Sequence, residues 1–573
     1  MTAWTLMKMS LPDTPTMEKW LSTQLQPGAV VGADPHTMTH NEWTPLESAL
    51  KQVNIELIPV STNLVDDARK QLNDPPPPRT NNEIFPLPLK YTGKTAGDKI
   101  AEIRKKMAER KATTLVITAL DEIAYTLNLR GSDIEYNPVF FAYLLITPSN
   151  VTLFTQNGQL SNEAQAQLSN ENVSLTVCDY DAATTFMRDM AVSNFSDGKE
   201  TVVWMSGDSS EAVYRAASGS AVICKPLQVI TEVSPVQLMK MNKNEVELKG
   251  IRACHIRDGI AVVRLFCWLD AALKRGQEVT EMMVDDKLLE FRRQEKDFMG
   301  PSFATIPGAG ENGAIIHYNP SRDGPQRVIT SNDMFLLDSG GQYRDGTTDI
   351  TRTRHMGVPT EEQIDAYTRV LKGQMRIAYS LFPKGVKGNV LDSFARLDLW
   401  SVGLDYAHGT GHGVGHFLNV HEGPSGVSWR PYPNDPGLGP GQILSNEPGY
   451  YKVGEFGIRH EDLVQTVDVT PDSDHPRAKC LKGDFDGRGV LGFHTLTVVP
   501  PHGKCVDVDM LTDFELNYLN AYNRRVFKTL GPILQKRGFK EEYEWLVREC
   551  QPLSRDKKPP SNDIEELIKF VNT

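Results

Sequence analysis

The chain has 573 residues, 40% hydrophobic and 23% charged, with a formal net charge of -12. That length exceeds what one hydrophobic core ordinarily holds, so two or three domains are expected. No apolar run is long enough to span a bilayer, and the negative balance argues against a general nucleic-acid binder, which needs a basic face.

The opening residues, MTAWTLMKMSLPDTPTMEKW, lack the basic start, unbroken apolar stretch and small-residue cleavage site of a secretory signal. The seven cysteines are scattered and free of CxxC spacing, so neither a disulfide framework nor a thiolate zinc site is suggested, and they read as reduced thiols. Both features point to the cytoplasm.

Taken in chain order, residues 1–85 combine a helical pattern at Thr16 to Leu25 with an apolar run at Ile55 to Val60. The tetraproline Pro75 to Pro78 that follows is a stiff linker, because proline fixes φ and removes backbone donors. Residues 86–243 alternate a charged helix at Lys99 to Lys111, a buried strand at Thr114 to Thr118, a helix at Leu120 to Leu129 and a strand at Val139 to Ile146. Such alternation predicts an α/β domain. A third domain, 244–573, begins where Asn244 can cap a long helix carrying Val246, Ile251, Ile260 and Leu265. From Ala304 to Thr353 and from Ile443 to Val469 the chain is strand-like and punctuated by glycine, and a helical tail runs from Arg524 to Thr573 with a break at Pro559-Pro560.

The carboxylates cluster in those two strand-like stretches. In FLLDSGGQYRDGTTDITRT, residues 335–353, an apolar strand ends in Asp338 and a second strand carries Asp349 among β-branched residues. If the strands pair as a hairpin, both aspartates project from one face. In SNEPGYYKVGEFGIRHEDL, residues 445–463, the layout repeats, with Glu447 on one strand, Gly454 and Gly457 at the turn, and Glu461 on the next. Between them lies HGTGHGVGHFLNVHEGP, residues 408–424, with four histidines among glycines. Any one aspartate in a glycine corner is usually a turn residue bonded to its own backbone, and a His-Gly run alone can be a surface loop. Two matched acidic hairpins flanking a histidine loop are another matter.

Four buried carboxylates would have to be protonated unless cations neutralise them. Two divalent ions do so, and such pairs activate water and clamp a carbonyl oxygen. The oxygen-rich donor set suits manganese, with zinc or cobalt as competitors.

These segments, with GAIIHYNP (313–320) and TALDEIAYTLNLRGSDIEYNPVFF upstream, resemble the three-domain X-Pro aminopeptidases of the pita-bread metallopeptidase family. The resemblance implies a C-terminal pita-bread catalytic domain preceded by a middle α/β domain and a shortened N-terminal α/β domain. It implies that Asp338, Asp349, His412, Glu447 and Glu461 are the metal ligands, with Asp349 and Glu461 bridging. His317, His408 and His421 would lie around the substrate as donors or proton shuttles, Glu447 would double as proton acceptor, and Arg459 would hold the acids in place. His416 and His460 match no functional position. The implied reaction releases the N-terminal residue from peptides with proline second, in a homodimer. A prolidase-type dipeptidase and a non-catalytic peptide-binding module are the alternatives. Two departures stand out: a start partway through the N-terminal domain, and an inserted surface loop at about 470–489. GAGENG, residues 308–313, fits a dinucleotide fingerprint by letter, but it is expected to run into a strand, AIIHY, rather than a helix, which excludes a nucleotide role.

Overall fold

Thr16, Thr39 and Asn63 each accept a backbone N–H, and the helices Met17–Gln24, His40–Gln52 and Leu64–Gln71 follow from those caps. The computed structural model describes residues 4–9, 11–198, 200–555 and 564–572; the break expected at Pro559-Pro560 lies outside them. Strands Val30–Ala33 and Glu56–Pro59 pair in parallel, which requires a crossover connection, and His40–Gln52 supplies it by burying Trp43, Leu46 and Leu50 with Ile55 and Leu57.

The chain packs as two compact units: Met1–Pro86, Thr95–Asp133 and Phe140–Val236 form one, and Leu87–Lys94, Ile134–Val139 and Gln237–Thr573 the other. The first unit is built on a six-stranded mixed sheet in the order 228–230, 202–205, 114–117, 143–146, 151–155, 175–179. Its helices include Ala96–Glu109, capped by Thr95, and Leu120–Leu127. The strand expected from Val139 begins only at Tyr143. One reason is that the Phe141 N–H donates to the Asp133 carboxylate instead of a neighbouring strand.

In the second unit Asn244 caps the helix Glu245–Lys274 as expected, in a capping box with Glu247. That helix lies in the core with Val526, Leu530, Trp545 and Leu546 from the helices Asp513–Lys536 and Lys540–Glu549. Every strand pairing of this unit is antiparallel among the described residues, in a six-stranded sheet, two three-stranded sheets and a hairpin. This is the α/β pita-bread architecture. No described helix is long and apolar enough to cross a membrane.

Two local expectations are corrected. AIIHY is no strand: the strand Ile306–Ala309 passes into a 3-10 turn at Gly310–Ala314 and then irregular chain. The buried Glu281 carboxylate holds this segment, accepting from the Ala309 N–H at 2.8 Å and the Tyr318 hydroxyl at 2.8 Å. Gly457 is not at a turn but inside the strand Phe456–Arg459, where a Cβ would lie 1.7 Å from the Gly313 carbonyl oxygen; the turn glycine is Gly454, with φ of 78°. Segment 470–489 is irregular, yet it is anchored by Ala478, which packs with Val469 and Val490.

Candidate metal centre

The two acidic stretches share one layout. The strand Met334–Ser339 pairs with Ile350–His355, and the chain between them forms a short inner hairpin of Gly341–Tyr343 with Gly346–Thr347. The strand Ile443–Asn446 pairs with Asp462–Asp468 around the inner hairpin of Gly449–Lys452 with Phe456–Arg459. In each case the acids stand where the chain leaves the outer ladder and where it returns: Asp338 and Asp349, then Glu447 and Glu461. Asp338 faces Thr351 in register, and Asp349, two residues before Thr351, shares its side of the strand.

All five expected ligands line one cavity of about 570 Å³, together with His317, His408 and His421. Atoms of Asp349, His412 and Glu461 lie within 4.8 Å of one another in a geometry that could hold an ion. His412 Nε2 lies 3.5 Å from Asp349 Oδ2 and 3.4 Å from Glu447 Oε1. Its Nδ1 is 2.9 Å from the Gly413 carbonyl oxygen, which can only accept, so Nδ1 carries the proton and Nε2 is left to face the acids.

The electrostatics show why this pocket fits cations. Asp338, Asp349 and Glu461 are 8%, 4% and 1% exposed. Burial, then the Asp338 and Glu447 charges, push the Asp349 carboxyl well above the usual range; burial and Asp349 do the same to Glu461. Glu447 is also raised by burial, against the pull of His412 and Arg459. Asp338 Oδ1 and Glu461 Oε1 are buried without a hydrogen-bond partner. Crowded carboxylates, orphaned oxygens and an imidazole nitrogen turned toward them form a donor set that divalent ions satisfy.

Arg459, expected beside the acids, is there. Its guanidinium donates to Asp338 Oδ2 at 2.6 Å, Thr351 Oγ1 at 3.2 Å and Tyr451 Oη at 2.8 Å. Thr351 in turn donates to Glu461 Oε2 at 2.8 Å. His408 Nδ1 meets the Gly409 carbonyl oxygen at 2.7 Å, so its Nε2 accepts from the Tyr451 hydroxyl, 2.8 Å away. Burial and Arg459 push its pKa down to about 3, consistent with a neutral ring. His421 stands edge-on to His412, with ring centroids 4.3 Å apart. Its ring is open to the cavity, yet the crowded wall and the neighbouring His412 and His317 push its pKa down to about 4. His460 faces away from the cavity and stacks edge-on against Tyr367.

Sequence reasoning missed Thr351, Tyr451 and Ser445, whose hydroxyl donates to Glu447 Oε1 at 3.1 Å. Thr351 was within reach of a period-two argument from Asp349; Tyr451 meets His408 across 43 residues and has no local signal.

A strand-built pocket of acids around one histidine defines a metallohydrolase of the pita-bread class. Comparison with known proteins agrees: metallopeptidase family M24 matches residues 249–468, the creatinase/prolidase N-terminal domain matches 75–247, and the C-terminal region of peptidase M24 matches 489–553. The chain is 43% identical over 550 residues to a Xaa-Pro aminopeptidase of Drosophila melanogaster, covering 96% of this chain and 86% of that protein. It is 38% identical to Xaa-Pro aminopeptidase 1 of Dictyostelium discoideum, covering 96% and 84%. The crystal structure of X-prolyl aminopeptidase from Caenorhabditis elegans, a cytosolic enzyme with a di-nuclear active site, superposes with a TM-score of 0.88 at 34% identity, covering 96% of this chain and 85% of that one. The chain belongs to metallopeptidase family M24, in its Xaa-Pro aminopeptidase branch.

Proposed function

We propose that this chain is a metal-dependent Xaa-Pro aminopeptidase that removes the N-terminal residue from peptides with proline in second position. The observation that carries the reading is the convergence of Asp338, Asp349, His412, Glu447 and Glu461 on one cavity, with buried carboxylate oxygens left unpartnered. These five residues would hold two divalent ions, manganese by preference. Bound there, the ions supply Lewis acidity toward the scissile carbonyl and a nucleophile from water at neutral pH.

The chain's own residues do the rest. Glu447 takes the proton of the attacking water and returns it to the proline nitrogen as the peptide bond breaks. His421, neutral at pH 7, donates a hydrogen bond to the carbonyl oxygen as it gains charge, and His317 lines the same cavity beside the substrate. His408 fixes the Tyr451 hydroxyl, which stands between it and Arg459. The acids attract the substrate's positive α-amino group. Phe303, Ile306 and Tyr432 add apolar surface to the cavity, against which a proline ring with no N–H to satisfy can pack.

The reading keeps three domains, 1–85, 86–243 and 244–573, in support of which the first segment has its own two-stranded sheet. It also takes the protein to be a cytoplasmic homodimer. All seven cysteines are free, as suits a reducing compartment. Val390, Phe394, Leu397 and Trp400 form an exposed apolar stripe on the helix Asn389–Trp400, the kind of surface that a second copy covers.

The test is to strip the purified protein of metal, restore manganese, and compare Xaa-Pro-Yaa peptides with Xaa-Ala-Yaa peptides and Xaa-Pro dipeptides. Release of Xaa from the first set alone is expected. Equal turnover of the alanine peptides would refute the proline preference, and activity confined to dipeptides would make the enzyme a prolidase.

A further inference from the structure

The second unit contains another cavity, of about 930 Å³, which shares no lining residue with the metal centre. Its floor includes Phe493 and Thr495 of the strand Val490–Thr495. One wall is a face of the helix Asp513–Lys536, where Phe514, Tyr518, Ala521 and Arg525 recur at helical spacing. Another wall is Ser473 to Pro476, in the stretch between the two matched M24 regions, which end at 468 and resume at 489. This part of the site is therefore outside what those family regions describe.

The polar groups of the cavity are unevenly matched. Arg252 donates through Nε and Nη2 to Gln465 Oε1, at 3.2 and 2.7 Å, and Arg525 donates to the carbonyl oxygens of Thr495 and Thr497, at 2.5 and 3.1 Å. All these acceptors are neutral, and neither guanidinium has a carboxylate partner among the described residues. Of the two acids in the lining, Asp468 is paired with Lys384 at 2.6 Å, which leaves Asp474 against two arginines. The field at His494 reflects this. After the crowding of the cavity wall, Arg525 and then Arg252 push its pKa down to about 4, and Asp474 offsets them only in part.

Two guanidiniums without a carboxylate partner call for an anionic acceptor; the rings of Phe493, Phe514 and Tyr518 call for an apolar body. The volume is that of ordinary small-molecule sites. We propose that this cavity is a second ligand site, separate from the substrate cavity, that binds a small organic carboxylate with an aromatic or branched apolar body.

The experiment is calorimetric titration of the metal-loaded full chain with 3-phenylpropionate and with its neutral isostere, 3-phenylpropanamide. Saturable binding of the acid is expected, with the amide weaker by about tenfold or more, the loss of one charge-assisted contact. Arg252→Gln should weaken the acid to a similar degree. Ala521→Phe, which fills the cavity without removing a hydrogen bond, should abolish binding. Both variants should keep wild-type kcat/KM on an Xaa-Pro peptide. No binding of the acid, equal binding of the amide, or binding that survives both variants and competes with substrate would overturn the proposal; the last would place the carboxylate at the metal centre.

Discussion

The Arg459 guanidinium donates to Asp338 Oδ2 at 2.6 Å, leaving Oδ1 as the buried oxygen of that carboxylate without a partner. One oxygen is thus tied to the protein, and the other is the one that the proposed metal would meet. Arg459→Lys retains charge but loses the fork that also reaches Thr351 and Tyr451. Loss of such an orienting group costs on the order of 10–100-fold in metal affinity or activity. We expect kcat/KM to fall in that range, with reduced manganese affinity measured by titration. Wild-type values for both would remove Arg459 from the site's architecture.

Asp349 is loaded by its neighbours, with Asp338 and Glu447 both raising it after burial. Without cations its charge is a liability; in the proposed site it would be a ligand. Asp349→Asn is therefore expected to abolish turnover and lower bound metal, read by elemental analysis, while raising the stability of the metal-free protein by roughly 1–3 kcal/mol, the scale of relieving a buried unpaired charge. Thermal unfolding of both metal-free proteins checks this. A metal-free variant less stable than the metal-free parent would contradict the account of repulsion.

Behind the site, Arg352 donates to the Glu461 carbonyl oxygen at 2.7 Å and to Asp462 Oδ1 at 2.6 Å, with both side chains almost wholly buried. Arg352→Met leaves the Asp462 charge with no cationic partner, only the neutral Gln374 amide donating to Oδ2 at 2.6 Å, at a cost of roughly 3–5 kcal/mol. Adding Asp462→Leu removes the stranded charge and should recover most of that stability in urea unfolding. Turnover should stay depressed, because the backbone of Glu461 has still lost its donor. Recovery of kcat along with stability would mean that Arg352 matters only for folding.

Away from the metal centre, His475 supplies a pH signature. Burial, then Arg477, push its pKa down to about 4, below the unfolded value of about 6.5. Between those limits the unfolded chain binds the extra proton, so stability rises with pH across the window and is lost on acidification. His475→Gln should make the dependence of the melting temperature on pH shallower between about 6.5 and 4, by the share of one histidine among several that are held neutral. An unchanged slope would mean that the ring is protonated at no cost in the folded protein.

Much of the centre is legible in the residues themselves. Asp338, Asp349, Glu447 and Glu461 stand out because β-branched runs and glycine corners announce strands that reverse. The inner hairpins do not, since stretches as short as Gly346–Thr347 have no periodicity to detect. Contacts distant in sequence are equally silent. Nothing near Tyr451 says that it meets His408, and nothing in Leu87–Lys94 or Ile134–Val139 says that these segments pack with the second unit. The strand expected at AIIHY fails for the same reason: Glu281, far upstream, holds that segment in another shape.

Gly454 and Gly457 separate two meanings of glycine within one hairpin. At Gly454 φ is 78° and a Cβ would meet nothing within 4 Å, so Gly454→Ala costs only backbone strain, about 1 kcal/mol. At Gly457 a Cβ would fall 1.7 Å from the Gly313 oxygen and 2.3 Å from its carbonyl carbon, and neither backbone can yield alone. Gly457→Ala is expected to cost more, roughly 1–3 kcal/mol or above, as overpacking does. It should also impair catalysis, because the hairpin carries Tyr451 and Arg459 while the displaced segment leads to His317. Thermal unfolding and steady-state kinetics on the two variants decide the matter. If Gly454→Ala proves as damaging as Gly457→Ala in both measurements, close approach of the two backbones is not what the second glycine serves.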